Sequence, residues 1–273
     1  MYESYWQLSR KPFDSGCDPQ FYHPAETHQS ALLKLRYAIE NQRGGALLSG
    51  PSGAGKTMVV ALLRQLLDES GTPLVHVVFP QMSAEDLLAY LAGRLSGSGE
   101  TAGESGVPQC LERIERSLAA AAERGRRPVV VIDEAHLLAD RRTLEAIRLL
   151  LNFEVSGRAG MTLLLSGQPG ILPILERMPA VEERLGVKCL LRPLSAAETA
   201  QYVEHRLRAA GAERTIFEPE ALAALYELSH GVPRRINRLA DLALLIGYAE
   251  QSRTIDASKI ESVNEELVCV VPE

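Results

Sequence analysis

Residues 50–57 constrain the fold more than any other stretch of the 273-residue chain, because they match the pattern G-x-x-x-x-G-K-[ST]. A short apolar segment, 46–49, precedes them, and a strongly apolar segment, 57–67, follows. A strand that passes through a glycine-rich turn into a helix directs backbone N–H groups and the positive helix end at phosphate oxygens. The pattern therefore predicts a phosphate-binding loop (P-loop) for ATP, formed by Gly50, Pro51, Ser52, Gly53, Ala54, Gly55, Lys56, Thr57 and Met58.

Two acidic residues supply the chemistry that such a loop needs. The apolar run 129–132 predicts a strand buried on both faces, and Asp133 and Glu134 follow it directly. Lys56 is expected to neutralise the β- and γ-phosphates, and Thr57 and Asp133 to hold Mg²⁺. Glu134 is the predicted general base that polarises the attacking water. Together these residues predict hydrolysis of ATP with Mg²⁺ as cofactor.

Apolar strands and helical segments alternate up to about residue 193, which predicts an α/β fold with a parallel sheet flanked by helices. Within this region a helix is predicted over about 141–153 and a last strand over 187–191. After that point the pattern is helical throughout, with Ser195 and Glu198 as a capping box and Pro219 as the first residue of a helix, so we expect a small all-helical lid. The predicted division is 1–194 for an aromatic-rich N-terminal arm plus the nucleotide-binding core, and 195–273 for the lid. Residues 97–108 are rich in Gly, Ser and Glu and predict a surface loop.

Charge and composition bear on the partners and the cellular compartment of the protein. The net charge of −6 offers no strongly basic field for non-specific DNA binding, although a local basic patch is compatible with it. The four cysteines form no C-x-x-C pair, which favours ordinary thiols in a reducing compartment. The N-terminus lacks the pattern of a signal peptide, and no apolar run approaches the ~20 residues of a membrane span. We therefore expect a cytoplasmic protein without a membrane span.

Other interpretations of single motifs are weaker. Residues 133–136 read Asp-Glu-Ala-His, which suggests a helicase, but such helicases use two RecA-like domains and this chain has one P-loop. His136 is therefore interpreted as a residue at the start of a helix. Cys17, His23 and His28 match no zinc spacing and are expected at the surface or in packing, and His76 on a predicted strand is expected to be structural.

Beyond the P-loop and the acidic pair, the chain resembles the general secretion pathway protein A family, the ExeA-like AAA+ ATPases. The resemblance covers nearly all of residues 1–270. It is most specific in the N-terminal arm and in the turn Leu165-Ser166-Gly167-Gln168-Pro169. Many members continue beyond the ATPase into a membrane span and a cell-wall-binding region, which these 273 residues do not include. The resemblance thus implies the ATPase, and it leaves a direct role in threading secretion through the cell wall in doubt.

The resemblance also implies residue roles. Gln168 falls where such proteins place sensor 1, which positions water or contacts the γ-phosphate, with Ser166 as the alternative. Arg184 falls at the position of an arginine finger that completes the site of a neighbouring subunit, with Arg177 as a weaker candidate. Arg234, in Gly-Val-Pro-Arg, resembles the sensor 2 arginine of the lid. Without these roles, each arginine would be an ordinary surface residue.

The expected function is therefore a self-associating AAA+ ATPase that remodels or assembles a protein partner in a secretion or envelope-assembly system. The alternative is an ATP-dependent DNA-binding regulator like the TniB-type transposition helpers. That alternative would use a basic lid patch formed by Arg234, Arg235, Arg238 and Arg253. A third possibility is a nucleotide-dependent binding module with little turnover, and the presence of Glu134 argues against it.

Overall fold

The computed structural model describes residues 1–97, 106–138 and 140–269. Residues 98–105, most of the loop predicted over 97–108, lie outside the described residues. The strands are β1 (Gly45–Ser49), β2 (Leu74–Val77), β3 (Val129–Ile132), β4 (Glu154–Val155), β5 (Arg158–Ala159), β6 (Thr162–Gly167) and β7 (Leu185–Leu190). The helices are α1 (Glu3–Trp6), α2 (Glu26–Glu40), α3 (Lys56–Ser70), α4 (Ala84–Ser96), α5 (Val107–Glu123), α6 (Arg141–Leu150), α7 (Ile171–Glu176), α8 (Pro179–Glu182), α9 (Ala196–Ala209), α10 (Pro219–Ser229), α11 (Pro233–Ala249) and α12 (Ala257–Cys269).

Five of these strands form one parallel sheet in the order β2-β3-β6-β1-β7. Every residue of β1, β3 and β6 is buried, so both faces of the sheet are covered, as expected for a parallel sheet. The α/β fold class predicted from the sequence is confirmed. Because β1 lies between β6 and β7, the chain reverses its direction of winding there, and ligands of such sheets bind beyond the carboxyl ends of the strands.

Some predicted boundaries need correction. The helix predicted over 141–153 ends at Leu150, and the small hairpin of β4 and β5 follows it, which the short polar sequence did not suggest. The last strand begins at Leu185 instead of residue 187. Short 3-10 helices, Pro19–Phe21 and Ala135–Leu137, were also missed. The strands of the hairpin and the 3-10 helices are only two or three residues long, and segments of that length carry little periodicity.

The chain divides into two compact units. The sheet unit consists of the described residues within Ser30–Pro51 and Val59–Leu191. Its core is almost wholly aliphatic, with Leu47, Ile114, Leu118 and Ile132 among its fully buried side chains. Helix α5 contributes one apolar stripe to this core, namely Cys110, Ile114 and Leu118 at helical spacing.

The helical unit consists of Met1–Gln29, Ser52–Met58 and the described residues from Arg192 onward. Its core is rich in aromatic side chains that the N-terminal arm and the helices share, including Trp6, Phe21 and Phe217. The Trp6 indole N–H donates to the Leu244 carbonyl at 2.9 Å, which ties the arm to α11. The arm thus packs with residues that lie about two hundred positions later in the chain.

Local signals set where several helices begin. Ser195 and Glu198 form the predicted capping box at α9, and Pro219 is the first residue of α10 as predicted. The Asp140 carboxylate accepts from the N–H groups of Arg142 and Thr143 at the start of α6. Among the described residues, no helix combines the length and the apolar character that crossing a bilayer requires.

Candidate active site

The acidic pair lies at the carboxyl end of β3, as predicted. The hydroxyl of Ser166 donates to Asp133 Oδ1 at 2.8 Å, the Glu134 N–H donates to the same oxygen at 3.0 Å, and His76 Nε2 lies 3.5 Å from Oδ2. Burial opposes ionisation of Asp133, but the contacts from His76, Ser166 and Glu134 outweigh it and lower the pKa of this carboxyl. Asp133 is therefore held as a carboxylate, the form that binds a hard cation.

Glu134 has an unusual conformation for its residue type. Its backbone is left-handed, with φ 48° and ψ 35°, which costs a non-glycine residue about 1–2 kcal/mol. The side chain is 47% exposed, yet its Oε2 atom is buried and makes no hydrogen bond to any described group. A carboxylate that keeps acceptor capacity at the end of a central strand suits a base that takes a proton from water.

The predicted sensor residues lie on β6 and in the turn that follows it. The Ser166 hydroxyl is already bonded to Asp133, and the Gln168 N–H donates to His136 Nδ1 at 3.3 Å. Register pairing aligns Leu48 with Ser166 and Ser49 with Gly167, and the Gly50 N–H donates to the Gly167 carbonyl at 3.2 Å. The start of the P-loop and the predicted sensor turn thus meet at one edge of the sheet.

The two candidate finger arginines are both exposed in the sheet unit. Arg184 follows α8, and its guanidinium donates through Nη1 to the Leu151 carbonyl at 3.3 Å. Arg177 is the C-cap residue of α7. An exposed guanidinium held by one carbonyl keeps most of its five N–H donors for another group.

In the helical unit, the P-loop residues lie against the start of α11. Gly53 and Gly55 have φ values of +77° and +96°, which favour glycine. A Cβ atom on Gly53 would lie 2.7 Å from Arg234 Cβ, and the Arg234 N–H donates to the Gly53 carbonyl at 3.3 Å. Arg234, predicted as sensor 2, therefore begins its helix directly beside the loop, while Lys56 is only 6% exposed.

A glycine also sets the turn that leads into α11. Gly231 has φ +69°, and a Cβ atom there would lie 1.9 Å from the Leu194 carbonyl oxygen. The Leu194 N–H donates to the Gly231 carbonyl at 2.8 Å. No larger residue fits this approach, so the turn holds the first residues of α11 in place.

Sequence reasoning missed the role of His28, which it assigned to the surface or to packing. His28 is buried, and its Nε2 donates to the Ala54 carbonyl of the P-loop at 2.7 Å. Burial lowers the pKa of His28, which keeps the ring neutral with its proton on Nε2. Nothing in the spacing around residue 28 indicates this contact, because the two partners are 26 residues apart.

Mg²⁺ requires hard oxygen donors. Among the described residues, no group of three or more His, Cys, Asp and Glu side chains could hold a metal ion. Mg²⁺ at nucleotide sites needs less, because it keeps several waters and binds one or two protein oxygens plus phosphates. In the sheet unit the ionised Asp133 offers a hard oxygen of that kind, and in the helical unit the exposed Thr57 carries a hydroxyl, so the chemistry of each residue suits the ion.

Comparison with known proteins decides the family. A family model described as AAA domain matches residues 39–175, half of the chain. The chain belongs to the AAA domain family. It is a P-loop ATPase, as the phosphate loop and the acidic pair predicted. The AAA chain is also 34% identical over 259 residues to General secretion pathway protein A of Aeromonas hydrophila, which confirms the resemblance found in the sequence. That alignment covers 93% of this chain and 46% of the relative, so the chain spans about half of the relative's length.

Solved structures share the fold of this AAA chain at low sequence identity. The Aeropyrum pernix ORC2 protein matches with a TM-score of 0.67 at 16% identity, over 94% of this chain and 72% of that one. Drosophila ORC, solved bound to DNA, matches with a TM-score of 0.73 at 18% identity, over 96% and 66%. The Thermotoga maritima RuvB Holliday junction branch migration motor matches with a TM-score of 0.58 at 19% identity, over 89% and 69%.

Proposed function

We propose that this AAA ATPase couples hydrolysis of Mg²⁺-ATP to the assembly or remodelling of a protein partner in a secretion or envelope-assembly system. The acidic pair after β3 carries the proposal. Asp133 is held ionised, and Glu134 retains a carboxylate oxygen that no described group hydrogen-bonds. The 34% identity to General secretion pathway protein A supports the secretion setting, in the cytoplasm where ATP is available.

In the proposed mechanism, the N–H groups of the P-loop and the Lys56 ammonium hold the β- and γ-phosphates. Thr57 and Asp133 would hold Mg²⁺, and the bound ion would supply positive charge to the phosphate oxygens. Glu134 takes a proton from water as the water oxygen bonds to the γ-phosphorus, and the bond to the β–γ bridging oxygen breaks to release ADP. Gln168 orients the water, because the Ser166 hydroxyl is engaged with Asp133.

We assign the coupling to two arginines. Arg234 contacts the γ-phosphate and moves with the proposed lid, residues 195–273, so that the lid responds to the nucleotide. The bond from the Arg234 N–H to Gly53 supports this assignment. Arg184 acts in trans on a neighbouring subunit, which requires a homo-oligomer and makes activity rise with protein concentration.

A complementation experiment tests this arrangement. A Lys56→Ala subunit keeps Arg184 but binds nucleotide poorly. An Arg184→Ala subunit binds nucleotide normally but lacks the proposed finger. We expect each variant alone to be nearly inactive and a mixture to recover steady-state turnover, since mixed interfaces pair an intact P-loop with an intact finger. Arg177→Ala is the matched control and should retain activity. A mixture no more active than its parts would contradict the trans assignment.

The second candidate, a DNA-dependent regulator, is favoured by one observation. Arg235 and Arg238 are exposed on the first turns of α11, and Arg253 is also exposed. Turnover measured across protein concentration, with and without duplex DNA at moderate salt, separates the candidates. Strong stimulation by DNA would replace the protein-partner proposal, whereas turnover that rises with concentration and ignores DNA supports it.

A further inference from the structure

His136 lies between the predicted general base and the predicted sensor turn, and the mechanism above does not use it. Its Nδ1 atom is 3.4 Å from Glu134 Oε2 and accepts a hydrogen bond from the Gln168 N–H at 3.3 Å. The side chain is 16% exposed, so the ring is held mostly within the protein. One ring atom therefore contacts both groups that bear on the attacking water.

Local backbone geometry brings these groups together. The left-handed Glu134 turns the chain sharply into the 3-10 helix that carries His136. A Cβ atom on Gly167 would lie 3.0 Å from the His136 backbone N, so the absence of a side chain there lets the 3-10 helix pack against the end of β6. A strained residue that persists at such a site indicates that its surroundings hold it there.

The hydrogen-bonding capacity of one nitrogen limits what His136 can do. A neutral imidazole carries a proton on one nitrogen and a lone pair on the other. Because the Gln168 backbone N–H is an obligatory donor, Nδ1 presents its lone pair and the proton lies on Nε2. In that form Nδ1 cannot donate to Glu134, which explains why Oε2 lacks a hydrogen bond although the ring is 3.4 Å away.

We propose that His136 is a positioning residue that links the Gln168 turn to the Glu134 carboxylate, an inference that rests on the proposed function. While the Gln168 N–H occupies Nδ1, the ring borders Glu134 without donating to it, and the carboxylate keeps its capacity to accept the proton of water. The ring thereby fixes the Gln168 turn relative to the general base.

Three substitutions separate this role from simple packing. In His136→Asn the side-chain amide places an acceptor near the position of Nδ1. In His136→Gln the polar atoms lie nearer to Nε2, and His136→Phe keeps a ring without an acceptor. We expect kcat to stay within about threefold of wild type for Asn and to fall about tenfold or more for Gln and Phe, with KM for ATP little changed.

As controls, each variant's affinity for a fluorescent ATP analogue and its Tm are measured. Values near those of the wild type would show that the variant is folded and binds nucleotide. The same substitutions in a Glu134→Gln background should lower single-turnover hydrolysis no further, because the proposed role of His136 is to align the Gln168 turn with the Glu134 base, which that background lacks. The inference would be overturned if His136→Phe were as active as His136→Asn, or if the losses of activity were additive in the Glu134→Gln background. Either result would leave the ATPase assignment intact. A wild-type chain without turnover, or an unimpaired Glu134→Gln, would overturn the proposed function and this inference with it.

Discussion

The two compact units of this AAA ATPase are built in different ways. The core of the sheet unit is almost wholly aliphatic and comes from short apolar runs, whereas the core of the helical unit includes Tyr2, Trp6, Phe13, Phe21, Tyr202 and Phe217. The first unit holds the acidic pair Asp133 and Glu134, and the second holds Lys56, Thr57 and Arg234. From the roles proposed for these residues, we expect nucleotide binding to depend mainly on the helical unit and cleavage on the sheet unit.

The largest expected effect separates binding from cleavage. Glu134→Gln in the sheet unit should lower kcat by about 10²–10⁴-fold and leave ATP affinity near wild type, because it removes the general base only. Lys56→Ala in the helical unit should weaken ATP binding by about 10–100-fold, since it removes a charged partner of the phosphates. Equilibrium binding and initial rates measure the two effects.

Glu115→Gln is the matched control, because Glu115 is exposed on α5. That variant should match the wild type in both assays. If Glu134→Gln lost as much ATP affinity as Lys56→Ala, the expectation that binding and cleavage depend on different units would be wrong.

The next effect tests the aromatic core. Phe217 is buried with its ring 6.1 Å from that of Phe13, so Phe217→Ala should lower the free energy of unfolding by about 3–5 kcal/mol. Trp6, the one tryptophan of the chain, lies in the same core and reports unfolding through its fluorescence in urea. The control is Phe79→Ala in the sheet unit, where the side chain is 65% exposed and the expected change is within about 0.5 kcal/mol. Equal losses in the two variants would count against a distinct aromatic core.

A smaller effect concerns the support of the P-loop by the arm. His28→Phe removes the donor to the Ala54 carbonyl, so ATP affinity should fall by up to about tenfold, the equivalent of one lost hydrogen bond. His28→Gln can donate to the same carbonyl and should recover most of that loss. Isothermal titration with ATP measures both variants, and a Gln variant as weak as the Phe variant would show that the ring itself matters instead of its N–H.

The smallest effect is an ion-pair contribution within the helical unit. Bonds from Arg192 lower the pKa of Glu198 from 4.5 to about 2, with help from the Ser195 cap. Since the folded pKa is depressed, this stability is fully present above pH 4.5 and is lost as pH falls toward 2.

Glu198→Gln should therefore lower the free energy of unfolding by about 1–2 kcal/mol at pH 7, discounted because Arg192 is 42% exposed. Denaturant unfolding of the wild type and of Glu198→Gln should show a smaller difference in the free energy of unfolding at pH 3 than at pH 7. A difference independent of pH would mean that the capping geometry, not the carboxylate charge, provides the stability.

Much of the fold and part of the site could be predicted because their signals are local. The P-loop pattern, the run 129–132 and the capping residues Ser195 and Pro219 each act within a few neighbours, and the structure has the expected strand or helix at each. The hairpin after Leu150 and the two 3-10 helices were missed, since segments of two or three residues carry no measurable period.

The histidines show what local reasoning could not reach. His136 follows the Asp-Glu-Ala motif and was interpreted as a residue at the start of a helix. It lies in the middle of the short 3-10 helix Ala135–Leu137, and its contact with Gln168 joins positions 32 residues apart. His28 was assigned to packing, and its bond to Ala54 adds a role at the P-loop. The spacing of residues in the sequence indicates neither contact, because it does not show which distant groups pack against a histidine ring.

By itself, the sequence determined that this chain has a phosphate-binding loop, a buried strand ending in two carboxylates and an α/β sheet followed by helices. These properties depend on residue types and short periodicities. Only the tertiary structure decided that Ser166 and His76 hold Asp133, that Gly53 lies against Arg234, and that the N-terminal arm completes an aromatic core with residues about two hundred positions away. The physical reason is that long-range contacts arise from how elements pack together, and packing depends on the whole chain at once.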